Sequence, residues 1–180
     1  MRRALLAGAN PFLTLYDGGA PTAYASIWRV DWSVHGAGNA IVLWHAGAVR
    51  VLTDAPALGG WLEEHFVRRF DEATALPSWH RPTVAEVPVE VVVDPGGGAR
   101  AAGADVVVTL GDPLDARPVG VADFPLDGVS HGLSMMAMPC ATATLTIGGD
   151  AVAGAPRVWR DGGRTHSSAV TAVHEAWCRA

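Results

Sequence analysis

Between Gly128 and Cys140 the chain reads GVSHGLSMMAMPC, which concentrates residue types that do chemistry. The stretch holds Met135, Met136 and Met138, Cys140, His131, and Ser130 between Gly128 and Gly132. The Gly-x-Ser-x-Gly string is that of a nucleophile elbow, where a serine sits on a sharp strand-to-helix turn. His166 or His174 with Asp150 or Asp161 would supply a base and an acid in a permissible order. The residues that follow, however, run through Pro139 into a threonine-alternating segment rather than a helix. The expectation for Ser130 is therefore a glycine-flanked turn. Thioether, thiolate and imidazole donors suit copper. On a strand, though, Met136, Met138 and Cys140 share one face and His131 and Met135 the other. Half the donors cannot converge, and no metal or other cofactor is expected. The third reading is an apolar wall, since methionine adapts to irregular gaps and to varied ligands.

Seven histidines, His35, His45, His65, His80, His131, His166 and His174, form no motif. In a catalytic cavity His131 and His45, which lie beside predicted strands, are the candidates for general acid or base, with Ser130 as the nucleophile candidate and Asp31, Asp127 and Glu175 as possible carboxylate partners. Seven tryptophans favour a ligand cavity, because indole rings line pockets while each N–H needs a partner. Trp28, Trp32 and Trp44 are expected to line it together with Met136 and Met138. The Gly-rich strings HGAGN and DPGGG lack phosphate-loop spacing and read as turns.

The elements that must position these residues are mostly strands. ATATLTI alternates with Ala141, Ala143, Leu145 and Ile147 inward and threonines outward, the period of a half-buried strand. EVPVEVVVD places Val87, Val89, Val91 and Val93 on one face, with Pro88 pushing it to a sheet edge. ASIWRVDW alternates similarly, and NAIVLWHAGAVRVLT reads as a hairpin around His45, Ala46 and Gly47. ADVVVTLGD, RPVGVAD and PRVWRDGG add further strands. The tail SSAVTAVHEAWCRA is read as a closing strand, with a helix capped at Ser167 as the alternative. One helix interrupts the pattern at about residues 56–72, with Asp54 as its N-cap, Pro56 in its first turn, Leu58, Leu62, Phe66 and Phe70 at four-residue spacing, and Glu64 paired with Arg68. The result is a mainly β fold, an antiparallel β-barrel or sandwich of about eight strands with one amphipathic helix, in a single domain spanning residues 1–180.

Composition narrows the function. The chain is 49% hydrophobic and only 17% charged, so a folded core is expected. Every basic residue is arginine, the formal net charge is −5, and no basic cluster exceeds an Arg-Arg pair, which argues against a nucleic-acid partner. The start, MRRALLAGANPFLTLYDGG, imitates a secretory leader, but Gly8, Asn10 and Pro11 break its apolar run, so it is read as mature protein. No apolar run is long enough for a membrane span. Two cysteines at no framework spacing point to a reduced, cytoplasmic setting. A homodimer is left open.

The run of short antiparallel strands with one helix, the inward Trp28 on ASIWRVDW and the late phrase ATLTIGGDAVAGAPRVW together resemble the lipocalin-like, or calycin, β-barrels. The resemblance implies a small apolar molecule held inside the barrel. A barrel of this kind can also house a cyclase, isomerase or hydrolase, and a non-enzymatic interaction subunit is a third possibility.

Overall fold

The computed structural model describes residues 3–94 and 96–179. In chain order these form β1 (Arg3–Ala9), β2 (Phe12–Asp17), β3 (Ala20–Ser33), β4 (Gly38–His45), β5 (Ala48–Thr53), α1 (Pro56–His65), a 3-10 turn (Val67–Arg69), α2 (Asp71–Thr74), β6 (Thr83–Glu86), β7 (Val89–Asp94), β8 (Gly98–Gly103), β9 (Val106–Pro113), β10 (Arg117–Leu126), β11 (Val129–Ile147), β12 (Asp150–Ala151), β13 (Val158–Asp161), β14 (Arg164–Ser167) and β15 (Ala169–Arg179). The protein is mainly β, as its alternating segments require. Among the described residues no helix is long and apolar enough to cross a membrane.

The strands do not form an eight-stranded closed barrel. Thirteen of them make one sheet whose main path runs β6-β5-β4-β3-β1-β15-β11-β9-β8-β7, and β13 and β14 form a separate hairpin. The path is mixed, because β5 and β6 pair in parallel. Parallel neighbours need a crossover, and the helical segment between them supplies it. The strand β11 is 19 residues long and serves four ladders, with β10 and β15 through its first half and with β9 and the short β12 through its second. The stretch beginning GVSHG and the threonine-alternating stretch are thus one strand. The ends of the path, β6 and β7, are joined only by Val87 and Pro88. Val87 N–H donates to the Thr53 carbonyl at 2.9 Å, and Asn39 Nδ2 reaches the Val89 carbonyl at 2.9 Å, but no ladder joins the two ends among the described residues.

Two apolar layers follow. Leu13, Ala25, Ile27, Ile41 and Leu43 from β2 to β4 pack against Ala101, Val106, Val108, Cys140 and Leu145 from β8, β9 and β11. The opposite face of β3 to β5 carries Tyr24, Trp28, Val42, Trp44 and Val51 and is covered by Leu58, Leu62, Phe66 and Val67. Fully burying one such side chain stabilises the fold by about 1.5–3 kcal/mol. The expected stripe of the helix is therefore present, but the helix is shorter than 56–72. It stops at His65, where Phe66 leaves helical geometry at φ −121° and ψ −68°, and the chain continues through a 3-10 turn and α2. Asp54 does not cap it. Its Oδ1 instead accepts the Asn39 N–H at 2.7 Å, and Ala55 occupies the cap position without a side-chain bond. Arg68 likewise pairs with buried Glu63, not Glu64. The tail is a strand, as read, and lies centrally between β1 and β11.

Candidate functional site

The covering helical segment does not seal the sheet completely. An apolar pocket of about 120 Å³ remains between α2, β10 and the sheet, walled by Phe12, Phe70, Phe124, Leu133, Met135 and Trp177. Phe70 stacks on Trp177 with centroids 6.0 Å apart, and Phe124 meets Trp177 edge-on at 5.3 Å. Four polar side chains also face this pocket: Asn10, Tyr24, Glu72 and Glu175.

Glu175 is only 3% exposed. Its position follows from an irregularity in β15. The register with β11 passes from Ser134 opposite Ala176 to Met136 opposite Val173, so His174 and Glu175 together face the single residue Met135. His174 takes the left-handed conformation at φ 51°. A bulge of this kind re-aims a side chain, and strained backbone clusters at functional sites. Here it leaves His174 exposed and turns Glu175 inward beside Trp177. The Trp177 Nε1–H donates to Glu175 Oε1. No protein partner reaches Oε2 among the described residues, and that oxygen is not sealed in the core. Burial pushes the Glu175 carboxyl up to about 8, opposed by the Trp177 bond, which favours the charged form. At neutral pH the group is mostly a neutral acid. With Oε1 accepting from the indole, Oε2 is the oxygen left to carry the proton.

Tyr24 is fully buried on β3, and its phenol is raised above its ordinary value by burial first and then by the Glu72 charge, against a bond from Ser26. Glu72 is exposed as a whole residue, yet the atoms crowding its carboxyl raise it as well, chiefly by desolvation. Asn10 is buried. Its Nδ2 donates to Ser26 Oγ and to the Ile27 carbonyl, each at 2.9 Å, leaving Oδ1 without a protein donor among the described residues. The pocket thus offers an acid O–H, an amide acceptor, a phenol and a second carboxyl against aromatic walls.

Glu63 shows what this constellation lacks elsewhere. It is equally buried and also accepts an indole N–H, from Trp79 at 2.8 Å, but Arg68 donates to both its oxygens at 2.9 and 2.7 Å. Its lone pairs are used and its charge is paired, so it is structural.

The residues singled out from sequence scatter around this pocket. Ser130 lies inside β11 opposite Pro125, and the turn precedes it at Asp127 and Gly128, whose φ values of 52° and 73° close a two-residue hairpin. His131 is half-buried near the other edge of Trp177, its Nδ1 bonding the Val129 carbonyl at 2.9 Å. His45 ends β4, away from the pocket. Trp28 and Trp44 are buried beneath the helix with indole nitrogens that find no protein partner among the described residues, whereas Trp32 is 50% exposed. Met135 lines the pocket, while Met136 and Met138 point to the other face of β11. Cys140 and Cys178 are free thiols. No group of three or more metal-ligating side chains gathers among the described residues.

Glu175, named from sequence only as a carboxylate partner, is the centre of the site. Tyr24, Asn10 and Glu72 carried no motif. A signal for Glu175 did exist: in HEAW, the carboxylate stands two residues before Trp177, on the same face of the strand as a core tryptophan. No family model, curated protein or solved structure matches the chain.

Proposed function

We propose that the protein binds a small, largely apolar molecule of about one ring's size that carries a hydrogen-bond acceptor, with neutral Glu175 as the donor. The observation that carries this reading is a buried carboxyl facing aromatic walls whose Oε2 has no protein partner among the described residues. A cavity of about 150 Å³ is known to hold benzene, so a pocket of about 120 Å³ takes at most a single ring or a short branched chain. Phe70, Phe124 and Trp177 would hold the ring, and Glu175 would orient its oxygen. A site built to hydrogen-bond one group discriminates strongly against analogues that lack it, because the buried partner is then left unpaired. The binding expected from the sequence is retained, but its location moves from a barrel interior to the space under the helical cover.

Titration calorimetry with acetophenone and with ethylbenzene tests this. Acetophenone is expected to bind more tightly, to weaken as pH rises through about 8, where Glu175 loses its proton, and to lose that pH dependence in Glu175→Gln. Equal affinity for the two probes removes the role of Glu175.

A second reading, an acid-base enzyme, is favoured by one observation: a second carboxyl, Glu72, faces the same pocket. Two carboxyls with different environments can divide acid and base roles. Glu72 as carboxylate would take a proton from the carbon beside a carbonyl while Glu175 hydrogen-bonds the carbonyl oxygen, a role for which the sequence had suggested histidine. Proton-deuterium exchange at the acetophenone methyl, measured by NMR with protein present, supports this reading if it exceeds the buffer rate and is lost in Glu72→Gln. Bound ketone without exchange leaves only the binding reading.

A further inference from the structure

On the other side of the Phe66 and Trp177 rings lies a second and larger cleft of about 350 Å³, within the range of sites for small ligands. Its lining is unlike that of the Glu175 pocket. Arg69, Arg179, His65 and His131 stand in it against one carboxylate, Asp127, on a chain whose net charge is −5. That carboxylate is already engaged, because Arg69 Nη1 pairs with Asp127 while its Nε donates to the Glu64 carbonyl at 2.8 Å. Arg179 has no ion pair among the described residues. Among the described residues its guanidinium is the free cation of the cleft. The arginines of the cleft thus outnumber its carboxylate by one on a chain whose overall balance is acidic, and a concave wall focuses the field of that charge.

The remaining wall is aromatic. Trp61 is half-buried, with Phe66 edge-on at 5.1 Å and the imidazoles of His35 and His65 at 4.6 and 5.9 Å. Its indole is thereby fixed between helix and loop as a flat platform. His131 is fixed on the facing strand by its bond to the Val129 carbonyl. Planar walls beside an unpaired guanidinium match a ligand that is itself planar and ends in a carboxylate, since the guanidinium fork engages both carboxylate oxygens.

We propose that this cleft is a separate binding site for a small aromatic carboxylate, its ring against Trp61 and Phe66 and its carboxylate on Arg179. It is independent of the Glu175 reading. A bare anion would use the same guanidinium but gain nothing from the rings, and a neutral aromatic would do the reverse.

Calorimetric titration of the intact chain with benzoate, benzamide and inorganic phosphate separates these cases. Benzoate is expected to saturate one site, with benzamide and phosphate each weaker by about fivefold or more, and Arg179→Ala to weaken benzoate by a similar factor, the scale of a partly exposed ion pair. Trp61→Leu is expected to weaken benzoate but not phosphate. Arg179 is exposed at the end of β15, so its replacement leaves the core untouched, and an unchanged melting temperature verifies this. Glu175→Gln is expected to leave benzoate binding intact. Benzoate that binds no better than benzamide, or that is indifferent to Arg179→Ala, overturns the proposal. So does benzoate binding that Glu175→Gln abolishes, which would move it to the smaller pocket.

Discussion

Trp177 donates its indole N–H to the carboxyl of Glu175, two residues earlier on the same strand, and no cation among the described residues joins them. One hydrogen bond does not offset the burial, so the carboxyl stays protonated up to about pH 8, against 4.5 when exposed. Between those values the unfolded chain ionises Glu175 and the native one does not, so the native state holds the extra proton. Stability contributed by this group is then full below about pH 4.5 and falls by roughly 1.4 kcal/mol per pH unit until about pH 8, a loss on the order of 4–5 kcal/mol. Glu72 acts in the same sense, and Asp105, held low chiefly by its bond from Arg50, acts in the opposite sense only in acid. Urea unfolding from pH 5 to 9 should show this decline, and Glu175→Gln should retain only the parts due to Glu72 and, at the alkaline end, to the Cys140 thiol, which burial raises. A variant with the wild-type slope would rule Glu175 out as its source.

Arg68→Met is expected to destabilise the protein by about 2–4 kcal/mol, because it strands the buried Glu63 carboxylate with only the Trp79 N–H for company. The partial exposure of Arg68 keeps the figure below that of a fully buried pair. Combining it with Glu63→Gln should recover part of the loss. If the double variant is less stable than Arg68→Met alone, the guanidinium matters through packing of its stem and not through charge.

How far the sequence discloses this molecule depends on which forces write the pattern. Alternation on the second half of β11 is legible because one face is apolar and the other carries threonines, whereas β4 is apolar from Ala40 to Trp44 because both of its faces are covered, and it reads as a strand only by that β-rich run. The strand β8, GARAAG, is nearly all small residues and carries no period, although it sits in the middle of a ladder. Fifteen strands were thus read as about eight. The helix was legible from Leu58, Leu62 and Phe66, but its end was not, because Phe66 and Phe70 keep the spacing after the backbone has left the helix. The pocket was least legible. Glu175 reaches it only because a bulge breaks the alternation at His174, and Tyr24, Glu72 and Asn10 come from three distant segments that only the folded sheet brings together.

Gly8 lies opposite Glu175 in the β1 and β15 ladder, and on its other side β1 changes register against β3 between Ala7 and Gly8. A Cβ at this position would fall 2.0 Å from the Arg29 carbonyl oxygen, and backbone cannot yield as a flexible side chain can. Gly8→Ala should therefore cost more than about 2 kcal/mol, in the upper part of the range for a single substitution. It should also loosen the support of Glu175, detectable as faster amide exchange at residues 173–177. At Gly60, where nothing lies within 4 Å of the added carbon, the same substitution in α1 should instead be neutral or stabilising. Comparable melting temperatures for the two variants would contradict the close approach at Gly8.

Trp177→Phe separates the donor from the ring. The phenyl group retains most of the contact with Phe70 and Phe124 but removes the N–H that favours the charged form of Glu175. The Glu175 carboxyl should then hold its proton to a pH above that of the wild type, although the variant as a whole is destabilised by about 1–3 kcal/mol through the smaller ring. A carbon-13 titration of the glutamate carboxyls resolves the two effects, since the midpoint reports the lost hydrogen bond and the unfolding free energy reports the lost volume. An unchanged midpoint would mean that burial alone sets the acidity of Glu175. A lowered midpoint would mean that water enters where the indole had been, and the pocket would then be wetter than its aromatic walls suggest.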